Sequence, residues 1–166
     1  IEATIGNAYY CEFEGKVKLD DGLLTKVSEK MHEYVKRDMT FKKMSMSTDD
    51  AVKMFAEIGM RDKEKLFTFR RASRVNVYEL NGFYDYYYGA MPASTGILKY
   101  FELKMYGDGF VFIVPDRKEA SVIKPFVGSP KFYSVLKESN EWAKSLNIET
   151  VGALNEAIAD GRIQDV

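Results

Sequence analysis

Apolar and polar residues alternate most regularly between Asn76 and Asp116, where aromatic and β-branched side chains are spaced by polar ones and punctuated by Asn81-Gly82 and Gly107-Asp108-Gly109. Such alternation between turn-forming pairs predicts strands, and this stretch is expected to form the centre of a sheet. At the chain start, Tyr9, Cys11 and Phe13 share one period-2 face, Glu14-Gly15 suits a turn, and Val17 and Leu19 resume the pattern. A hairpin, or a strand with an irregular lead-in, is expected over 1–19. The period then changes. Leu24, Val27, Met31, Tyr34 and Val35 fall on one helical face, with Asp20 and Asp21 at its start and Lys36 and Arg37 at its end, as the helix dipole favours. Phe41, Met44 and Met46 predict a short strand, and Ser47 or Thr48 caps a helix carrying Val52, Phe55 and Ile58 that stops at Gly59.

The segment 61–71 is basic, with Lys63, Lys65, Arg70 and Arg71 set around Leu66, Phe67 and Phe69; it suits a solvated face first and a phosphate-contacting face second. Beyond Pro115 the chain turns polar until Ser129-Pro130 opens a helix, proline being favoured at the first helical position. Phe132, Leu136, Trp142, Ala143 and Leu146 are expected on its apolar side. Thr150 caps a last helix with Val151, Leu154, Ala157 and Ile158, ending before Gly161. Strands interleaved with helices and followed by a helical arm make the fold class α+β, with a mainly antiparallel sheet.

The 166 residues suit one domain, or one with a small appendage, and 46% hydrophobic content is enough for a core. With 24 basic and 25 acidic residues the formal charge is −1, so bulk charge gives no support for RNA binding, although a local basic patch remains open. A single cysteine, Cys11, fits a reducing cytoplasmic setting and reads as a small core residue. No apolar run long enough for a membrane span occurs.

The candidate chemistry is thin. No Gly-x-x-x-x-Gly-Lys-Ser/Thr loop is present to cradle phosphates, and one histidine with one cysteine cannot build a zinc site. His32 sits off the apolar stripe of its helix and reads as an exposed histidine without a nucleophile motif near it. No catalytic or metal-binding residue is therefore expected, and no cofactor; which carboxylates meet in space is left open.

Taken together, Gly6 to Phe13, Met31-His32-Glu33 in the next helix, and the helix from Asp49 to Gly59 resemble the second additional domain of threonyl-tRNA synthetase, the editing domain shared with alanyl-tRNA editing proteins. In that family, hydrolysis of misacylated tRNA is associated with a His-x-x-x-His pair and an Asp-x-Cys-x-x-x-His motif. The second motif falls on Asp85 to Met91. Asp85 and Gly89 match, as does a lysine at Lys63, while Tyr87 stands for the cysteine and Met91 for the final histidine. No His-x-x-x-His occurs. The resemblance implies a degenerate editing pocket with Tyr84, Tyr87 and Met91 as walls, Gly89 in the loop, and Asp85 and Lys63 as polar anchors.

Gly128 to Phe132, Glu141-Trp142 and Asn147 to Ile163 are similar to the segment preceding the kinase core of bacterial uridine-kinase-like nucleoside kinases. That second resemblance implies an editing-like domain over 1–115, then a linker and helical arm over 116–166 leading to a P-loop kinase domain. Expected partners are that C-terminal kinase domain and an N-terminal TGS-like domain of the parent chain, with tRNA or a nucleotide as possible ligand. ATP and Mg2+ belong to the kinase domain, and the parent is expected to be a cytoplasmic ATP-dependent uridine or nucleoside kinase. On this reading the fragment is a non-catalytic accessory domain. The alternatives are an editing-type hydrolase of misacylated tRNA, or an interaction module that forms an oligomer through an exposed strand or the Trp142 arm.

Overall fold

The computed structural model describes residues 1–13, 17–116 and 118–162. In chain order the elements are β1 (Ala3–Ile5), β2 (Ala8–Cys11), α1 (Asp21–Lys36), β3 (Lys42–Ser47), α2 (Thr48–Glu57), α3 (Arg61–Thr68), β4 (Arg74–Leu80), β5 (Phe83–Tyr86), a 3₁₀ turn (Thr95–Ile97), β6 (Glu102–Tyr106), β7 (Gly109–Ile113), α4 (Pro130–Ser145) and α5 (Val151–Ala159). All strand pairs are antiparallel, in line with the α+β expectation. The chain forms two compact units, Ile1–Met39 with Ser94–Lys137, and Thr40–Ala93 with the chain from Glu138 on.

The first unit holds a four-stranded sheet in the order β1-β2-β7-β6. Its opening hairpin turns at Gly6-Asn7. Gly6 takes a φ of 59°, and a Cβ there would lie 2.4 Å from the Val127 carbonyl oxygen, so both conformation and space call for glycine. The turn expected at Glu14-Gly15 lies outside the described residues. With the turn at Gly6-Asn7, the strand's phase moves by one residue: Tyr10, opposite Val111, is buried with Ile5, Ala8 and Ile113, whereas Tyr9 and Phe13 are exposed. Tyr9 and Phe13, of the shared face, thus point outward, since alternate residues of a strand point to opposite sides of its sheet. Cys11, at the strand end, is buried as expected.

α1 begins where the sequence places it, with the Asp20 carboxylate accepting from the Leu23 N–H at 2.7 Å. Leu24 is its buried residue, and Val27, Met31, Tyr34 and Val35 are half-buried along the same side. His32 is exposed and stacks on the Phe101 ring at 4.3 Å between centroids.

The second unit holds a three-stranded sheet in the order β3-β4-β5. Asn81 and Gly82, both with positive φ (53° and 82°), make the tight β4-β5 turn the sequence predicts. Ser47 caps α2 by accepting from the Asp50 N–H at 3.1 Å, and Gly59 ends the helical segment at a φ of 80°. One face of this sheet packs on α2 and α3, where Ala51, Phe55, Phe67, Val75 and Val77 form a buried core. Thr150 caps α5 through the Ala153 N–H, and Gly152 seats that helix on α3 so closely that a Cβ would stand 2.8 Å from Lys65 Cβ.

Two expectations are corrected. The stretch from Asn76 to Asp116 is not one sheet centre: β4 and β5 belong to one sheet, β6 and β7 to the other. The intervening 87–101 segment hands the chain over, and Thr95 is pinned where its hydroxyl donates to the Tyr34 carbonyl and accepts from the Met39 N–H. On α4, Leu136 and Ala143, with Leu146 just past its end, are half-buried as expected, but Phe132 and Trp142 are exposed. Tyr133 takes the inward place, its ring packed edge-on against Tyr10 and Tyr106.

Candidate functional site

Cross-strand register defines the site. On β4, Val75, Val77 and Glu79 alternate with Asn76, Tyr78 and Leu80; the valines face α2 and α3, so Tyr78 and Leu80 belong to the other face of the sheet. Tyr78 lies opposite Asp85, and Leu80 opposite Phe83. Together with Phe41, Glu79, Tyr86, Tyr87 and Met91 they line a cleft of about 290 Å³. The loop after β5 is tied over this face by the Tyr78 hydroxyl, which donates to the Gly89 carbonyl at 3.3 Å and accepts from the Met91 N–H at 3.4 Å. Gly89 leaves room for the Tyr87 ring, since a Cβ there would stand 3.1 Å from it.

The charged groups sit at the cleft's edge. Asp85 Oδ1 accepts from the Tyr86 N–H at 2.7 Å and lies 3.4 Å from Lys63 Nζ, which also approaches Asp62 at 3.3 Å. Partial burial pulls the Lys63 ammonium down, but the Asp85 and Asp62 carboxylates outweigh it and hold the group above its ordinary value. Lys63 is therefore a fixed cation at neutral pH. Glu79 is held below the usual carboxylate range by the Gly82 N–H, 2.6 Å away, and by Lys42 at 2.9 Å. That carboxylate locks the β4-β5 turn and is committed to structure.

Of the residues expected in the pocket, Asp85, Tyr87 and Met91 line the cleft, Lys63 pairs with Asp85, and Gly89 contributes its carbonyl to the loop anchor. Tyr84 does not join them. Opposite Glu79 on the helix-facing side, it packs against the α2/α3 core instead, as strand alternation requires, and the Tyr86 ring shares that side, edge-on to Phe67 at 5.0 Å. Phe41, Tyr78, Leu80 and Phe83 were not singled out; the period-2 pattern running back from Asp85 across the Asn81-Gly82 turn was the signal that would have found Tyr78 and Leu80. Elsewhere, burial pushes the Cys11 thiol up, which suits an inert side chain. No group of three or more metal-ligating side chains gathers among the described residues, and no helix there is long and apolar enough to cross a membrane.

No family model matches the chain. Among curated proteins it is similar to threonine–tRNA ligases: 33% identical over 101 residues to that of Bacillus velezensis, and 30% over 104 residues to that of Vesicomyosocius okutanii subsp. Calyptogena okutanii. The ligase of Geobacillus kaustophilus is 28% identical over 101 residues. These matches cover 60 to 62% of the chain and 16% of each relative, so the chain spans about a sixth of the length of the ligases it matches. Over the matched part the chain is threonyl-tRNA synthetase-like.

Proposed function

We propose that this chain is an editing-type domain of the threonyl-tRNA synthetase kind, which receives the aminoacylated 3′ end of a tRNA in the tyrosine-lined cleft and hydrolyses the ester. The similarity to threonine–tRNA ligases supports the class. The observation that carries the chemistry is Asp85, held beside Lys63 at the edge of a mainly apolar cleft whose other carboxylate, Glu79, is tied to Gly82 and Lys42. A carboxylate there can take a proton from water as that water attacks the aminoacyl carbonyl, and Lys63 offers a positive charge to the oxyanion that develops. The carbonyl–oxygen ester bond then breaks, the 3′ oxygen leaves with a proton, and the free amino acid departs. Tyr87 and Met91, at the positions where the resemblance puts a cysteine and a histidine, carry a phenol and a thioether, neither of which serves as a base at neutral pH. Proton transfer accordingly rests on Asp85. The tyrosine rings supply faces on which the terminal base can stack.

The test is release of serine, which is threonine less one methyl, from seryl-tRNA by the intact chain and by Asp85→Asn. Turnover that falls at least about a hundredfold in the variant is the expected result. Absence of release with the protein in excess over the tRNA would overturn hydrolysis.

A second reading starts from the resemblance of the arm. On this reading, which rests on the resemblance of Asn147 to Ile163 to the region before a nucleoside-kinase core, the chain would be a non-catalytic accessory domain of a uridine or nucleoside kinase, with 116–166 leading into a domain that uses ATP and Mg2+. Uridine phosphorylation by the parent protein, with and without residues 1–115, tests it; a rate and a tRNA response both unchanged by the deletion would remove it.

A further inference from the structure

The basic segment 61–71, expected as a solvated face first and a phosphate-contacting one second, divides in the structure. Arg61, Lys63 and Lys65 each meet a carboxylate within 3.4 Å, at Glu64, Asp85 and Glu156. Arg70 and Arg71 do not. With Lys53 of α2 they line a cleft of about 540 Å³ between the start of α2 and the chain that leaves α3, and among the described residues none of the three is in an ion pair. That holds for Lys53 even though Asp49, the carboxylate that lines the cleft, stands one helical turn before it. The cleft shares no lining residue with the tyrosine cleft, and Val52 and Phe67 from the α2/α3 core form an apolar wall to it.

Arg70 is the fixed member of the three. Its guanidinium stacks 5.0 Å over the Tyr86 ring and 5.8 Å over that of Phe67, and it donates to the Tyr86 hydroxyl at 2.5 Å. A planar guanidinium anchored on one side keeps its remaining N–H groups in a set direction, as paired donation to two phosphate oxygens requires. Lys53 and Arg71 are exposed and add charge without such anchoring. Charge and size narrow the ligand. Three cations less one carboxylate leave a charge of +2, which matches a phosphomonoester, close to a dianion at neutral pH, better than a phosphodiester with its single charge. The volume suits a small organic ligand more than a bare anion, so the phosphate would carry a body that the Val52 and Phe67 wall can cover. We propose that the Lys53, Arg70 and Arg71 cleft binds a small-molecule phosphomonoester, with its phosphate on Arg70 and its organic body against the apolar wall. This assignment is independent of the editing reading above.

The experiment is isothermal titration calorimetry of the intact chain with adenosine monophosphate, adenosine, inorganic phosphate and adenylyl-adenosine, whose phosphate is a diester. The monophosphate should bind, inorganic phosphate should bind more weakly, and adenosine should not bind at millimolar concentration. Two variants locate the site. Lys53→Gln with Arg71→Gln changes exposed positions, so the fold should be kept, and Arg70→Lys keeps the charge while removing the planar fork. Each should weaken binding of the monophosphate at least about tenfold. Unchanged binding by the double variant overturns the site, and so does unchanged binding by Arg70→Lys, which would mean a diffuse field of positive charge. Adenosine or adenylyl-adenosine binding as tightly as the monophosphate would remove the phosphomonoester assignment. Binding of inorganic phosphate without the monophosphate would give the cleft to a free anion, and no saturable binding of either at millimolar concentration would overturn the proposal outright.

Discussion

Two clusters of tyrosines, one in each unit, show how differently the same residue is used. Tyr10, Tyr106 and Tyr133 meet edge to face with ring centroids 5.3 to 6.4 Å apart, and Phe126 closes on Tyr106 at 5.1 Å. Rings from β2, β6, α4 and the loop before it seal one another, and Tyr10 is 1% exposed. Burial and the neighbouring Tyr133 hydroxyl push its phenol far up, so it stays neutral throughout the usual range. Tyr78 and Tyr87 line a space instead of filling one, and Tyr87 is 50% exposed. The α2/α3 pair covers the opposite face of their sheet, and the cleft face is crossed by the short loop that Tyr78 ties down. Aromatic content is thus no sign of a ligand site. What matters is whether enough elements converge to use up the ring faces.

The contrast can be broken by mutation. The largest effect is expected at Tyr10→Ala, which leaves a hole in the sealed cluster and should cost about 3–5 kcal/mol in urea unfolding; a cost below about 1 kcal/mol would mean that the cluster is not the seal described. Gly152→Ala comes next. Its new methyl would meet Lys65 Cβ at 2.8 Å and the Leu66 backbone nitrogen at 2.9 Å, so α5 must shift from α3, with a loss of about 1–3 kcal/mol by the same measurement.

A smaller effect, visible as pH dependence, belongs to the turn beneath the tyrosine cleft. Glu79 titrates below its ordinary value of 4.5 in the folded chain, so the stability it contributes is complete above 4.5 and is lost as pH falls through the lowered value. Glu79→Gln should therefore flatten the acid limb of the stability curve below pH 4.5, measured as thermal midpoints. An acid limb identical to that of the wild type would show that the carboxylate does not hold the turn. The smallest change in stability is expected at Tyr87→Ala, within about 0.5 kcal/mol because half the ring is already in water. The same variant should weaken binding of tRNA by about 1–3 kcal/mol if the ring stacks on a base. A large stability loss without a binding change would make Tyr87 a core residue like Tyr10 and erase the contrast.

Much of this was legible in the chain itself. The α+β class followed from changes of period, and the ends of α1, α2 and α5 followed from Asp20, Ser47 and Thr150, whose side chains bond to the first-turn amides that any helix leaves unpaired. Asn81-Gly82 identified its turn because few other pairs accept two left-handed residues in succession. Asp85 and Lys63 were visible as candidates through the resemblance alone, and their separation of 3.4 Å was not.

The features that escaped share one cause. Local periodicity records that a segment has a buried face, but which face, and against what, depends on partners far along the chain. Tyr10 rather than Tyr9 points inward because β2 pairs with β7, and Tyr84 leaves the pocket because β5 pairs with β4 in the register set by the turn. The split of the 76–116 stretch between two sheets follows from Thr95, whose side chain is held by Tyr34 and Met39. Arg70 read as one basic residue among several until Tyr86 was found beside it. Period, caps and turns are properties of neighbouring residues and are written in the chain. Register, covering and the meeting of charges with rings are set by closing long loops, and only the tertiary structure decides them.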